Sequence, residues 1–262
     1  MSKPQKNLYE HAVAGSLDVS AEAERLRVFE YPNSISKELL GSDLAGKFVL
    51  DIGAGDNKTL GTFVKENQGS YIAIDIREPG QERMGVRLTA DLKKARIPNG
   101  MADIAHVRFM LAHFAEVDRK KVIPEIVGGA SERAILIDYD WTAVAGNEFM
   151  EELKKLNFDA QELTGFTPDY GARLAREVES VVDSSKYEIA TKRFNQGPVV
   201  AYQEVIGLID GPMKASFSQK SGEDFARRLS EVRAGIAEQT ESDHPTPFTR
   251  PDVIAVSILV RT

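Results

Sequence analysis

Apolar residues along the chain fall into short runs separated by amphipathic stretches. "KFVLDI" (residues 47–52) is a continuous apolar run ending in an acid, as expected of a strand buried on both faces. Leu60, Phe63 and Val64 then recur at helical spacing and predict a helix over 57–67. "SYIAIDI" (70–76) predicts a second strand, again closing on an acid, and "GVRLTADL" (85–92) a weaker third. "ADIAHVRFML" (102–111) reads as a fourth strand running into a loop or helix. Val122, Ile123, Ile126 and Val127 mark a helix, and "RAILIDYDW" (133–141) a fifth strand. Upstream, "SAEAERLRVFEY" (20–31) predicts a helix with Ser20 as N-cap and Leu26 and Phe29 on one face.

The second half is less regular. A helix is predicted from near Pro168, capped by Thr167, to about Val182, followed by a strand over 187–194. Two further helices are predicted over 199–209 and 222–239, the latter with Phe225, Leu229, Val232 and Ile236 as its apolar stripe. "HPTPFTRP" is a proline-rich connector, and 252–261 closes the chain as a strand. Alternating strands and helices predict an α/β fold, a parallel sheet with helices on both faces. The division that follows is N-terminal cap helices (1–45), a core (46–195), a helical insertion or lid (196–250) and a last core strand (251–262).

Composition narrows the chemistry. A chain of 262 residues with 42% hydrophobic and 28% charged residues suits one soluble α/β domain. The formal net charge of −7 argues against a nucleic-acid or anionic-membrane partner. With no cysteine there is no thiol catalysis and no disulfide. The four histidines (His11, His106, His113, His244) have no metal-type spacing, so no metal is expected. The N-terminal stretch lacks a signal-peptide core and no apolar run approaches spanning length, which predicts a cytoplasmic protein.

"VLDIGAGDN" (49–57) carries the chemical signal. A strand, a two-glycine turn and a helix N-terminus make a polar-ligand site: glycine permits close approach and positive φ, and the helix start offers free N–H donors. Asp75 ends the next strand 20 residues after Gly55, where a carboxylate can accept both hydroxyls of a ribose. A dinucleotide fingerprint requires a third glycine where Lys58 stands, and Asp51 beside the turn would repel a pyrophosphate. S-adenosylmethionine, with a sulfonium, an ammonium and no phosphate, suits the turn better. Asp51 and Asp75 also fit a plainer role as helix caps or lysine partners, and His106 fits a core histidine.

"VLDIGAGDN" together with "IAIDI" and "TADL" resembles the class I S-adenosylmethionine-dependent methyltransferases. "AHVRFMLAHF" followed by "AILIDYDW" is similar to their small-molecule branch, related to the ubiquinone/menaquinone-biosynthesis (UbiE-like, type 11) enzymes. The resemblance covers 49–141 well and 167–262 loosely, where "RPDVIAVSILVR" is similar to the antiparallel strand closing such sheets. It implies a Rossmann-like, seven-stranded, mostly parallel sheet with an antiparallel last strand.

It further implies that Gly53, Ala54 and Gly55 pass under the methionine part of the cofactor, with Asp51 nearby. Asp75 would hold the ribose diol, Ile76 would lie against the adenine, and Asp91 with Leu92 would meet the adenine amino group. The backbone at Val107 and Arg108 would sit near the methionine moiety and His113 near the transferred methyl, with His106 a second catalytic candidate. Asn57 stands where the family usually has a third glycine and tolerates the same geometry. Phe29, Phe109, Tyr139 and Trp141 are candidates to line an acceptor pocket. The implied activity is methyl transfer from S-adenosylmethionine to an O, N or C atom of a small molecule, with S-adenosylhomocysteine as product, by a monomer or homodimer. For a phenol, enol or carbon acid, His113 is the first candidate base. Two other readings stay open: a protein of this fold that does not methylate, as a cyclase-like catalyst or binding subunit, and an NAD-linked oxidoreductase.

Overall fold

The computed structural model describes residues 30–55, 58–76, 85–163, 167, 169–195, 198–199, 219–240, 248–249 and 251–261. Strand β1 (Phe48–Ile52) is central because both its faces are apolar, and Val49 to Ile52 are all buried. It pairs in parallel with β2 (Ser70–Asp75) on one side and β4 (Ala102–Arg108) on the other. β3 (Val86–Thr89) is a parallel edge strand beyond β2, with Val86 and Leu88 exposed, which accounts for its weak pattern. β5 (Ala130–Asp140) pairs in parallel with β4. β9 (Asp252–Val260) runs antiparallel between β5 and β6 (Tyr187–Phe194), giving the order β3-β2-β1-β4-β5-β9-β6. The expected seven-stranded, mostly parallel sheet with an antiparallel final strand is therefore observed.

Helices cover both faces. On one face α1 (Glu30–Leu40) and α2 (Lys58–Glu66) bury Ile35, Leu40, Leu60 and Val64 against Val49, Ala73, Ile104 and Ile135. On the other, α3 (Glu116–Gly128) and α5 (Tyr170–Val181) bury Ile123, Ile126, Tyr170 and Leu174 against Leu50, Ala105, Leu136 and Val256. Among the described residues, no helix is long and apolar enough to cross a membrane.

The helix predicted over 20–31 falls on residues 20–29, which lie outside the described residues; α1 is described as Glu30–Leu40, with Pro32 tolerated in its first turn. Three features depart from the sequence reading. A helix of 16 residues, α4 (Glu148–Leu163), was not predicted, although Met150, Leu153 and Leu156 form its buried stripe and Asn147 Oδ1 accepts from Met150 N at 3.0 Å at its start. Thr167 does not cap α5: Asp169 holds that position, while the Thr167 hydroxyl accepts from Arg119 at 3.0 Å. Val199, expected to open a helix, pairs instead with Phe248 in a two-stranded ladder of β7 (Pro198–Val199) and β8 (Phe248–Thr249); 200–218 lie outside the described residues.

The helix predicted over 222–239 is observed as α6 (Gln219–Thr240), with Phe225, Leu229 and Val232 of its predicted stripe buried; the Ile236 side chain lies outside the described residues. Phe225, Leu229 and Val232 pack on Met150, Leu153, Leu156 and Trp141 in a satellite core separate from the two sheet faces. Arg228 reinforces the pair from α6, reaching Glu152 at 2.5 Å and Asp159 at 3.1 Å on α4.

Candidate active site at the carboxyl edge of the sheet

Parallel strands bring the residues after β1, β2, β4 and β5 to one edge, the place where open α/β sheets bind ligands. The turn after β1 is built as its glycines require. Gly53 and Gly55 adopt left-handed φ values of +70° and +58°, and the amide of Gly53 donates to Ile74 O at 2.8 Å. A side chain at Gly53 would collide with Met110, whose Sδ lies 2.9 Å from the place of a Cβ. Met110 thus covers the face of the turn on which a Gly53 side chain would stand.

Asp75 closes on that turn. Its Oδ2 accepts from Gly55 N at 2.9 Å, and the carboxyl is buried. Arg87, from β3, donates to Gly55 O at 2.7 Å and stands 3.9 Å from Asp75 Oδ1. Ile76 follows, half-buried, and the amide of Ala90 donates to Asp75 O at 2.9 Å, so Asp91 and Leu92 lie beside the acid. Asp91 turns its carboxylate to its own backbone, accepting from Lys93 N at 2.9 Å, and Leu92 is buried. Asn57 and Phe29 lie outside the described residues.

Asp51 is oriented differently from its neighbours in sequence. Its side chain points to the α1–α2 face, where Oδ2 accepts from the Tyr71 hydroxyl at 2.5 Å and Oδ1 faces His106 Nδ1 at 2.8 Å. Burial first, then the Asp51 carboxylate, holds the Tyr71 hydroxyl well above its ordinary value, so it stays a donor. His106 Nε2 meets Ser36 Oγ of α1 at 3.1 Å, and both residues have no exposed surface. Ser36, His106 and Asp51 are strung in the order of a hydrolytic triad, yet their complete burial denies a substrate access to the hydroxyl. A carboxylate with both oxygens engaged in the core exerts less charge on the turn than the sequence alone suggests. His106 seats α1, helped two residues on by Arg108, which donates to Asn33 Oδ1 at 2.5 Å.

Beyond β4 and β5 lies an aromatic group. Phe109 has a left-handed φ of +55°, costly for a bulky side chain. Its ring stacks on Tyr139 with centroids 4.1 Å apart and planes 3° from parallel. Trp141 is tilted at 6.3 Å from Tyr139 and belongs to the satellite core. Val107 is buried in the sheet, and His113 ends a short 3-10 turn (Leu111–His113), half-buried.

Several side chains at this edge carried no local sequence signal. Arg119, 3% exposed, links three segments. It pairs with Glu177 of α5 at 3.0 Å, donates to Phe114 O and Thr167 Oγ1, and stacks 4.4 Å from the Tyr170 ring. At the end of β5, Asp140 faces Asp252 of β9 in register, and Arg193 bridges them at 3.0 and 2.7 Å.

No protein-family model matches the chain, and no curated protein matches it. Solved structures do share its fold. The plantazolicin methyltransferase BpumL, in complex with a triazolic desmethylPZN analog and S-adenosylhomocysteine, is 12% identical with a TM-score of 0.54, over 96% of this chain and 94% of its own. Phosphoethanolamine N-methyltransferase 2 of Haemonchus contortus, in complex with S-adenosylmethionine, is 11% identical with a TM-score of 0.54, over 89% of this chain. The present chain spans about half the length of that enzyme, 53%. At these identities the likeness is one of fold.

Proposed function

We propose that the chain is an S-adenosylmethionine-dependent methyltransferase (EC 2.1.1) acting on a small molecule, with S-adenosylhomocysteine as product. The observation that carries this reading is the turn of two left-handed glycines whose second amide binds the Asp75 carboxylate at 2.9 Å. The residues fit the group: a turn of two left-handed glycines, a buried acid for a diol and a partly exposed histidine one turn beyond β4. BpumL and the Haemonchus enzyme, which share the fold, bind S-adenosylhomocysteine and S-adenosylmethionine respectively.

In this reading Asp75 receives the ribose hydroxyls, Ile76, Asp91 and Leu92 border the adenine, and Gly53, Ala54 and Gly55 underlie the methionine part. Asp51 supports the turn from within the core, and the backbone at Val107 and Arg108 borders the methionine end. When bound, S-adenosylmethionine would supply an electrophilic methyl for transfer to the acceptor nucleophile, with S-adenosylhomocysteine as the leaving group. The residues of this edge would orient the acceptor toward that methyl and exclude water. His113 takes the proton of a phenol, enol or carbon acid acceptor; an amine acceptor needs no base during transfer. His106 acts through Asp51 and α1, and Phe109, Tyr139 and Trp141 form the acceptor wall. We assign acceptor choice to residues 1–45 and 196–250, the segments that the sequence division sets outside the core. We assign the UbiE-like branch, a cytoplasmic location and a monomer or homodimer on the sequence resemblance and composition.

One observation favours a second reading. Arg87 brings a cation to the glycine turn, which suits a phosphate, and with it an NAD-linked oxidoreductase. Calorimetric titration with S-adenosylhomocysteine and with NAD(H), on the wild type and Asp75→Ala, separates the two. Binding of S-adenosylhomocysteine alone, weakened at least ~30-fold in Asp75→Ala, supports the methyltransferase. A signal from NAD(H) alone overturns it. Binding without methyl turnover on any acceptor tried points to a non-methylating member of the fold.

A further inference from the structure

β3 is an edge strand, and Val86, Leu88 and Thr89 are exposed on it. Arg87 is the exception: only 7% of its side chain reaches solvent, although a guanidinium is costly to bury. Its partners account for that burial. Nη1 donates to Gly55 O at 2.7 Å, and Nη2 stands 3.9 Å from Asp75 Oδ1. The Asp75 carboxyl is itself 6% exposed, and its Oδ2 accepts from Gly55 N at 2.9 Å. Three segments therefore close a ring: the amide and carbonyl of Gly55 after β1, the acid that ends β2, and the guanidinium from β3. Register shows how far the side chain reaches. Arg87 pairs with Ala73, two residues behind Asp75, so it spans roughly 6.5 Å of strand to arrive at the carboxyl edge.

We propose that Arg87 is a positioning residue for the nucleoside end of the site: its planar fork ties the Asp75 carboxylate to the Gly55 carbonyl and fixes the direction in which the acid meets a ribose. This rests on the methyltransferase reading of that site. Two effects act together. The guanidinium balances the charge of a buried carboxylate, which alone would be costly to keep in the fold. Its donors leave one rigid plane, so the acid and the turn are held in register before a ligand arrives, and the ligand need not order them. A lysine would bring the same charge as a point, without the fork. The contacts also separate two uses of a cation at this turn. In the oxidoreductase reading the guanidinium would meet a phosphate of the ligand. Here it is buried against the protein's own acid and carbonyl, which leaves the ribose end close to neutral and suited to an uncharged diol.

The test is calorimetric titration of the wild type, Arg87→Met and Arg87→Lys with S-adenosylhomocysteine and with its 2′,3′-dideoxy analogue. The ratio of the two affinities isolates what the ribose hydroxyls contribute. In Arg87→Met that ratio should fall at least ~5-fold through weaker binding of S-adenosylhomocysteine, while the analogue stays within about twofold of its wild-type affinity. Arg87→Lys should give an intermediate ratio, about two- to threefold below the wild type. A side chain that only seats the edge strand would weaken both ligands alike. An unchanged ratio in Arg87→Met therefore overturns the inference alone; should that variant not fold, an unchanged ratio in Arg87→Lys does the same. Equal binding of both ligands to the wild type removes Asp75 from the ribose and the inference with it. No binding of S-adenosylhomocysteine to the wild type overturns the cofactor reading and this inference together. Binding of NAD(H) in its place, lost in Arg87→Met, overturns both and gives the guanidinium to a phosphate.

Discussion

The two halves of the carboxyl edge are built by different means. The half over β1, β2 and β3 is made of backbone: two left-handed glycines, their amides, and one acid that closes on them. The half over β4, β5 and β9 is made of buried charge and rings, with Asp138, Arg119, Asp140 and Asp252 all under 5% exposed. Backbone geometry tolerates changes of pH and of distant packing, because a peptide N–H does not titrate. A buried carboxyl does titrate, and a ring wall moves with whatever packs behind it. The proposed nucleoside half should therefore be insensitive to the satellite core, and the proposed acceptor half sensitive to it and to the ionisation of Asp138.

The largest effect expected of that contrast is on stability. Asp138 has a folded-state value of about 7 against an ordinary 3.8, so the native protein binds its proton more tightly than the unfolded chain. Stability from this group is full below pH 4 and is lost as pH rises through 7, by on the order of 4 kcal/mol at most. Urea midpoints measured from pH 4 to 8 should fall across that window in the wild type. In Asp138→Asn the same midpoints should lose this component; an unchanged slope places the titration elsewhere.

A smaller effect is expected from the satellite core. Leu153→Ala opens a cavity between α4 and α6 and should destabilise by about 3 kcal/mol. Affinity for S-adenosylhomocysteine should stay within about twofold, since no side chain of the nucleoside half packs there. A parallel loss of cofactor affinity would erase the division between the halves. Gly53→Ala reverses the arrangement: it forces a Cβ against Met110 and into a left-handed φ, costing about 1–2 kcal/mol, and should weaken the same ligand by roughly tenfold. Equal affinity in Gly53→Ala would mean the ligand does not approach that backbone.

The same division decides how much of the molecule is legible in the amino-acid sequence. Gly53, Gly55 and Asp75 could be picked out because their juxtaposition follows from local order: an apolar run, a turn, a second run, an acid. The parallel sheet could be read for the same reason, since runs buried on both faces announce parallel strands. Ser36 and His106 are 70 residues apart, and Arg119 reaches Glu177 across 58. Nothing in a local pattern announces such pairs. Asp51 shows the limit from the other direction. Its position beside the turn was legible, but alternation along β1 sends its side chain to the α1 face, where Tyr71 and His106 take it up. The stripe of α4, by contrast, was readable at Met150, Leu153 and Leu156 and was obscured by the charged residues between them.

The central claim is that Asp75 and the glycine turn form the ribose end of an S-adenosylmethionine site. Its most direct test is a calorimetric cycle with S-adenosylhomocysteine and its 2′,3′-dideoxy analogue on the wild type and Asp75→Ala. If Asp75 receives the ribose hydroxyls, the analogue binds the wild type at least ~10-fold more weakly than the parent, and Asp75→Ala binds the two alike. Equal binding of both ligands to the wild type, or a difference that survives in Asp75→Ala, contradicts it.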